Sequence, residues 1–235
     1  MSIFHIHTQS PNSKARTGTV FLKSGMVQTP VFMPIGTIGS VKSVMNLELE
    51  KLNFEIILGN TYHLWLNPDL EIMENSGGLH NFGGWKRPIL TDSGGFQAFS
   101  LSKIREFDET GVTFRVPKNG QKRFLSPEIS MKIQTVLDSD IALVLDECLP
   151  SEVSKQTAIN AMNRTFRWAT RSQNEWKNLQ AEKENKQENK QNINLPNSQI
   201  NLPNFGQNQS NYLIKTQILK EKFSLQNLHK VFCQN

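Results

Sequence analysis

Residues 141–145, Ile-Ala-Leu-Val-Leu, form an unbroken apolar run closed on either side by an aspartate, Asp140 and Asp146. A strand with one face in water alternates apolar and polar residues. A run with no polar position is predicted to be a strand buried on both faces, which a parallel sheet covered on both sides provides. A second short apolar run, Pro88-Ile89-Leu90, leads into Thr91-Asp92-Ser93-Gly94-Gly95-Phe96-Gln97. Two buried strands therefore each deliver an aspartate at the C-terminal end. This predicts an α/β fold whose chemistry sits on one edge of the sheet.

The rest of the first 172 residues repeats that unit. Ile3 to Thr8 alternates, Gly18 to Leu22 follows after a turn-rich stretch, and Ser24-Gly25 is a turn; together they predict an antiparallel hairpin or small sheet ahead of the main domain. Residues 31–35 and 55–58 are the first two candidate strands, ending at Gly36-Thr37 and Gly59-Asn60. Helical spacing is predicted over 41–52 and around 68–75. Residues 112–116 and 122–125 flank Asn119-Gly120, a hairpin turn signal. Ser126-Pro127 reads as a helix start, with Ile129, Ile133, Val136 and Leu137 on its inner face. Ser151 is a candidate cap for a longer helix with Ala158, Met162, Phe166 and Ala169 turned inward. Four strand–helix units suit either half of a (β/α) barrel or an open doubly wound sheet, and pattern alone does not separate them. In a barrel the ligand site lies at the C-terminal ends of the strands.

The stretch 91–101, TDSGGFQAFSL, has the composition of a pocket for a flat, hydrogen-bonding ligand. Asp92 can accept two hydrogen bonds from a planar edge, Gly94 and Gly95 allow close approach of backbone N–H groups, and Phe96 offers an aromatic face. A strand-to-loop turn with an aspartate cap is the plainer alternative. Asp146 follows the second buried run, with Glu147 and Cys148 after it. Asn60 and His63 fall near the same edge, where a binding role and a structural one are equally open. His5 and His7 form a His-x-His pair on a strand, with no third ligand close in sequence, and read as structural.

Lysine and arginine number 26 against 21 aspartates and glutamates, a net charge of +5 that suits a nucleic-acid partner without demanding one. The two cysteines, Cys148 and Cys233, are far apart and include no Cys-x-x-Cys pair. That fits a reducing compartment better than a disulfide scaffold. No signal-peptide core opens the chain, and no stretch reaches the ~20 apolar residues of a membrane helix. A cytoplasmic protein with no membrane partner is expected.

TDSGGFQAFSL and SDIALVLDEC closely resemble the bacterial tRNA-guanine transglycosylases, the queuine tRNA-ribosyltransferases. TPVFMPIGTIGSVK, ILGNTYHL, GGLHNFGGWKRPILTDSGG and RTFRWATRS match as well. The resemblance runs to about Ser172 and implies a partial TIM (β/α)8-type barrel over 1–172, corresponding to the N-terminal half of that family. It implies exchange of the wobble guanine of certain tRNAs for a 7-deazaguanine. Asp92 is then the proton acceptor and a base-binding carboxylate. Ser93, Gly94, Gly95 and Phe96 line the pocket, and Asp146 grips the base edge. Two buried neighbouring aspartates are expected to titrate as a pair. The implied ligands are guanine or 7-aminomethyl-7-deazaguanine and tRNA.

Residues 173–211 are close to half Asn and Gln, a low-complexity composition with too little apolar surface for a core. Residues 212–235 are a short segment with a helical expectation. The carboxylate nucleophile that the resemblance implies for ribose C1′ belongs to a Gly-Ile-Asp-x-Phe-Asp-Cys-like strand, which this sequence does not contain. The zinc site of the family, three Cys and one His, is likewise unmatched, and no cofactor is predicted here. The expectation is a truncated transglycosylase, partnered by a homodimer or a complementing C-terminal half. A non-catalytic purine- or tRNA-binding module, or one half of a split enzyme, is the alternative.

Overall fold

The computed structural model describes residues 3–101, 105–193 and 212–213. The chain begins with an antiparallel sheet of three strands, β1 (Phe4–Gln9), β2 (Arg16–Leu22) and β3 (Gly25–Thr29), in that order. The small sheet expected from the sequence is present, but β1 is largely exposed on both faces, so its alternation does not mark a buried side. His7 lies where the β1–β2 register shifts.

Next come α1 (Asn46–Lys51), β4 (Ile57–Gly59), α2 (Thr61–Leu66), α3 (Leu70–Asn75), α4 (Leu79–Gly83) and β5 (Ile89–Thr91). After β5 follow α5 (Gly95–Leu101) and a second antiparallel sheet of β6 (Arg105–Phe107), β7 (Val112–Arg115) and β8 (Lys122–Leu125). The chain continues through α6 (Pro127–Val136), β9 (Ile141–Ala142) and α7 (Lys155–Ile193), and Tyr212–Leu213 forms β10. The central sheet is parallel, in the order β10-β9-β5-β4. No closed barrel is formed by the described residues.

Two apolar layers sandwich this sheet. Ile57 and Ile89 face a core shared with the helices, where Leu64, Met73, Trp85, Ile133 and Leu137 are buried. Leu58 and Leu90, one residue on, face the other way into a cluster with Ile141, Val20 and Val27 of the N-terminal sheet. Successive strand residues point to opposite faces, so apolar layers on both sides require consecutive apolar residues. That is the physical origin of the polar-free runs.

Several expectations are corrected. The predicted first strand, 31–35, reduces to a single parallel bridge between Ile35 and Leu58, with Leu58 N–H on Pro34 O and Gly36 N–H on Leu58 O. Pro30 and Pro34 bring no N–H to a ladder, which limits pairing to an edge. The helix predicted over 41–52 covers only α1, because Ser43 takes a left-handed φ of 62° that interrupts it. Two short helices, α2 and α5, occupy stretches read as loops. The long helix is capped by Ser154, whose Oγ accepts from Thr157 N–H at 3.1 Å, rather than by Ser151. Its buried face is Ala161, Trp168, Ala169, Ser172 and Trp176, whereas Phe166 is exposed.

Helix α7 continues through 173–193, into the Asn/Gln-rich stretch. Gln, Glu, Lys and Ala are good helix formers, and Trp176 packs on Met131 and Ala142 to anchor the extension. The helix expected over 212–232 lies outside the described residues except at 212–213, which are strand. Among the described residues no helix is long and apolar enough to cross a membrane.

Candidate functional site

Parallel pairing sets the site. Gly59 stands opposite Thr91, so the next residues, Asn60 and Asp92, leave the sheet side by side. Thr91 in turn stands opposite Ala142, and the chain reaches Asp146 four residues later. Four donors fill the Asp92 carboxylate. Oδ1 accepts from Thr61 N–H at 2.9 Å and Gly94 N–H at 3.1 Å. Oδ2 accepts from Asn60 Nδ2 at 2.5 Å and Gln97 Nε2 at 2.9 Å. Asn60 precedes α2, where its side chain could cap the helix, but its amide is spent on Asp92 instead. Burial raises the Asp92 pKa above the ordinary carboxylate value, and the hydrogen bonds from Asn60, Thr61, Gln97 and Gly94 only partly oppose it.

The link between the two strand ends is Ser93. Its buried hydroxyl donates to Asp146 Oδ1 at 3.1 Å. Asp146 is half-buried, and its other oxygen lies 3.8 Å from Cys148 Sγ. Glu147 is held from behind by α7: Arg164 Nη1 donates to Glu147 Oε2 at 2.7 Å, and Glu147 N–H donates to Thr165 Oγ1 at 3.1 Å.

The two glycines act differently from expectation. Gly94 has a φ of +79°, the left-handed region that disfavours any side chain. A Cβ on Gly95 would stand 2.9 Å from the Asp146 carbonyl oxygen, so this position must be bare for the start of α5 to pack against the segment that follows β9. Their N–H groups are used within the loop, Gly94 on Asp92 and Gly95 on Ser93 Oγ at 3.3 Å. The ring of Phe96, in the first turn of α5, is 49% exposed and free of the core.

Asp92, Ser93, Gly94, Gly95 and Asp146 are thus gathered at one edge. His63 is half-buried one residue from Tyr62, with the rings edge to face. The sequence reading missed Thr61 and Gln97 as Asp92 partners and gave Asn60 no specific role. The signal was the register itself: aligning the ends of two parallel strands puts Asn60 beside Asp92. His5 and His7 face each other edge-on, with His7 Nε2 2.7 Å from Thr19 Oγ1. Among the described residues no three His, Cys, Asp or Glu side chains gather to hold a metal.

A family model described as queuine tRNA-ribosyltransferase matches residues 10–198. A queuine tRNA-ribosyltransferase of Neisseria meningitidis serogroup C / serotype 2a is 57% identical over 166 residues, 71% of this chain and 45% of that protein. The enzyme of that name from Chromobacterium violaceum is 56% identical over 177 residues, 75% of this chain and 47% of its own length. That from Verminephrobacter eiseniae is 52% identical over 181 residues, 75% and 46% respectively. The chain spans about half the length of the curated relatives it matches. On these matches, covering most of its residues in one continuous block, the chain belongs to the queuine tRNA-ribosyltransferase family.

Proposed function

We propose that this chain carries the base-recognition half of a tRNA-guanine transglycosylase site, at the strand ends of a partial (β/α)8-type barrel formed by residues 1–172. The observation that carries the reading is Asp146. It is a half-buried carboxylate at a strand end, and among the described residues its oxygens meet one hydroxyl and one distant thiol. A carboxylate has about four acceptor sites, so Asp146 has capacity to spare. Guanine and 7-aminomethyl-7-deazaguanine both present N1–H and the 2-amino group as a planar two-donor edge, and a carboxylate matches it. The exposed ring of Phe96 supplies a stacking face.

Asp92 takes a second role. Its pKa is raised by burial, which suits a group that receives and returns a proton as guanine leaves and a new base enters. In the reaction that the resemblance implies, a carboxylate attacks ribose C1′ of the tRNA, the bond from C1′ to the base nitrogen breaks, and the base departs with its electron pair and gains a proton. The incoming base reverses these steps. The attacking carboxylate has no matching motif in the 235 residues. We therefore assign exchange to an assembly in which a complementing C-terminal half or a second copy of the chain supplies it. The net charge of +5 favours the tRNA partner. Residues 173–211 and 212–235 are assigned no part in base recognition.

The test is incorporation of labelled guanine into unmodified tRNA by the purified chain, alone and mixed with the second half of a relative, with guanine binding measured alongside by calorimetry. Binding alone, with incorporation only in the mixture, is expected. Incorporation by the chain alone would place the nucleophile within it. Binding with no incorporation in either case would favour a non-catalytic purine module, and absence of binding would remove the base-pocket reading.

A further inference from the structure

Behind the base site is a set of buried polar side chains that contacts with a base do not account for. Gln134 of α6 is fully buried. Its Oε1 accepts from Leu143 N–H at 2.9 Å and from the Thr91 hydroxyl at 2.9 Å. Its Nε2 donates to Leu143 O at 2.9 Å and Ser130 Oγ at 3.1 Å. Those four bonds are the full capacity of a primary amide. Toward Leu143 the side chain behaves as a neighbouring strand would, pairing with both N–H and C=O of one residue.

Ser130, one turn earlier on the same helix face, is also fully buried and donates to the Ser93 carbonyl at 2.8 Å. Ser139, buried as well, lies 2.6 Å from the Thr91 hydroxyl. The targets are not spread at random along the strands. Thr91 precedes Asp92, Ser93 follows it, and Leu143 stands three residues before Asp146. An apolar residue at 134 would fill the space but strip the Leu143 N–H and C=O of the partners Gln134 gives them and leave the Thr91 hydroxyl with Ser139 alone.

We propose that Gln134 and Ser130 are positioning residues of the base site. From α6 they fix the spacing and register of the ends of β5 and β9, so that Asp92, Ser93 and Asp146 converge on one planar ligand. The ligand part of this inference rests on the base-pocket reading above.

The experiment uses the full 235-residue chain carrying Cys233→Ser, which leaves Cys148 as its single thiol. Ser130→Ala and Gln134→Glu are compared with this parent for guanine affinity, melting midpoint and the rate at which Cys148 reacts with an aromatic disulfide. Cys148 Sγ lies 3.8 Å from Asp146 Oδ2 and so reports on that strand end. At a temperature where circular dichroism shows every variant folded, guanine binding is expected to weaken about ten-fold. Cys148 labelling is expected to accelerate several-fold. Folded variants with an unchanged guanine Kd and an unchanged labelling rate would overturn the proposal and leave a packing role. If the parent itself binds no guanine, the base-pocket reading fails separately, and the labelling rates still decide whether α6 holds the strand ends.

Discussion

Asn60 and Asp92, the first residues beyond two paired parallel strands, are joined by a 2.5 Å hydrogen bond from Asn60 Nδ2 to Asp92 Oδ2. With Thr61, Gly94 and Gln97 also donating, every acceptor site of the carboxylate is taken, yet burial still raises its pKa. Folded Asp92 therefore holds its proton to higher pH than unfolded Asp92. Stability falls as pH rises from the ordinary carboxylate value, about 4, through the raised one. Asp92→Asn removes that loss. Gln97 Oε1, buried without a partner, can turn to accept from the new amide. The variant is expected to melt higher than the parent at pH 7, with the gain vanishing below pH ~4. In any assembly competent for exchange, both Asp92→Asn and Asp92→Ala are expected to abolish it. Thermal melts across pH and guanine incorporation check the two statements, and retained incorporation would remove Asp92 from the chemistry.

Asp146 is expected to dominate ground-state recognition of the base. In Asp146→Asn one oxygen becomes an N–H donor facing the donor edge of guanine. Hydrogen bonds to charged groups are worth about 1.5–3 kcal/mol, which corresponds to guanine binding weaker by roughly ten- to hundred-fold. Calorimetry on the folded variant measures it; an unchanged Kd would assign Asp146 to structure alone.

Gly95 and Gly120 separate two reasons for a glycine. Gly120, with a φ of +69° in the β7–β8 turn, has open space around it, while Gly95 is confined by Asp146 O at 2.9 Å and Leu145 Cδ1 at 3.0 Å. Gly120→Ala is expected to cost about 1 kcal/mol through backbone strain and to leave guanine binding alone. Gly95→Ala is expected to cost about 1–3 kcal/mol through overpacking and to weaken binding, because Asp146 must move. Melting and calorimetry on the pair test the distinction, and equal binding by both variants would contradict it.

The legible parts of this molecule are those whose cause is local. Ser126 caps α6, accepting from Ile129 N–H at 3.2 Å, because Ser-Pro encodes a helix start by itself. Asn119-Gly120 marks its hairpin for the same reason. The polar-free runs at 88–90 and 141–145 reveal burial on two faces, and so the sheet and the two aspartates at its edge. What escaped depends on distant partners. Gln134, on a helix that also carries Glu128, Lys132 and Thr135, reads as one more surface residue until Leu143 and Thr91 are seen against it. The helix expected over 41–52 has the right spacing, yet one left-handed residue, Ser43, breaks it. Trp176 gives an Asn/Gln-rich stretch an anchor that composition averages away.

Arg171 ties α7 to two other parts of the fold. Its Nε and Nη2 grip both oxygens of Glu128 at 2.7 Å, while Nη1 and Nη2 reach the carbonyls of Glu109 and Thr110 at 2.8 and 3.0 Å. A lysine cannot reproduce that planar fork. Arg171→Lys is expected to lower stability by about 1–2 kcal/mol in denaturant titration, more than a surface ion pair is worth, since the Thr110 carbonyl loses the guanidinium donor and the Glu109 carbonyl keeps only Trp168 Nε1. A loss within error of zero would mean that Trp176 and Trp168 alone dock the helix.

The last prediction concerns the opposite end of the strands. Asp140, 1% exposed, accepts from Ser24 N–H at 2.9 Å and Ile89 N–H at 2.8 Å, and its Oδ2 lies 3.0 Å from His80 Nε2. One carboxylate thus ties the N-terminal sheet, α4 and β5 to the start of β9. Burial opposes its ionisation, but the hydrogen bonds from His80, Ile89 and Ser24 outweigh that and hold its pKa below the ordinary range. A depressed carboxylate contributes stability that is complete above the unfolded value, about 4, and is lost as pH falls through the folded one. Asp140→Asn keeps the shape but sets an amide N–H against donors, and breaking a buried pair costs about 3–5 kcal/mol. The variant is expected to melt well below the parent at pH 7, and the gap is expected to narrow as both are acidified below pH ~4. A gap that stays constant across that range would show that Asp140 acts through packing and not through its charge.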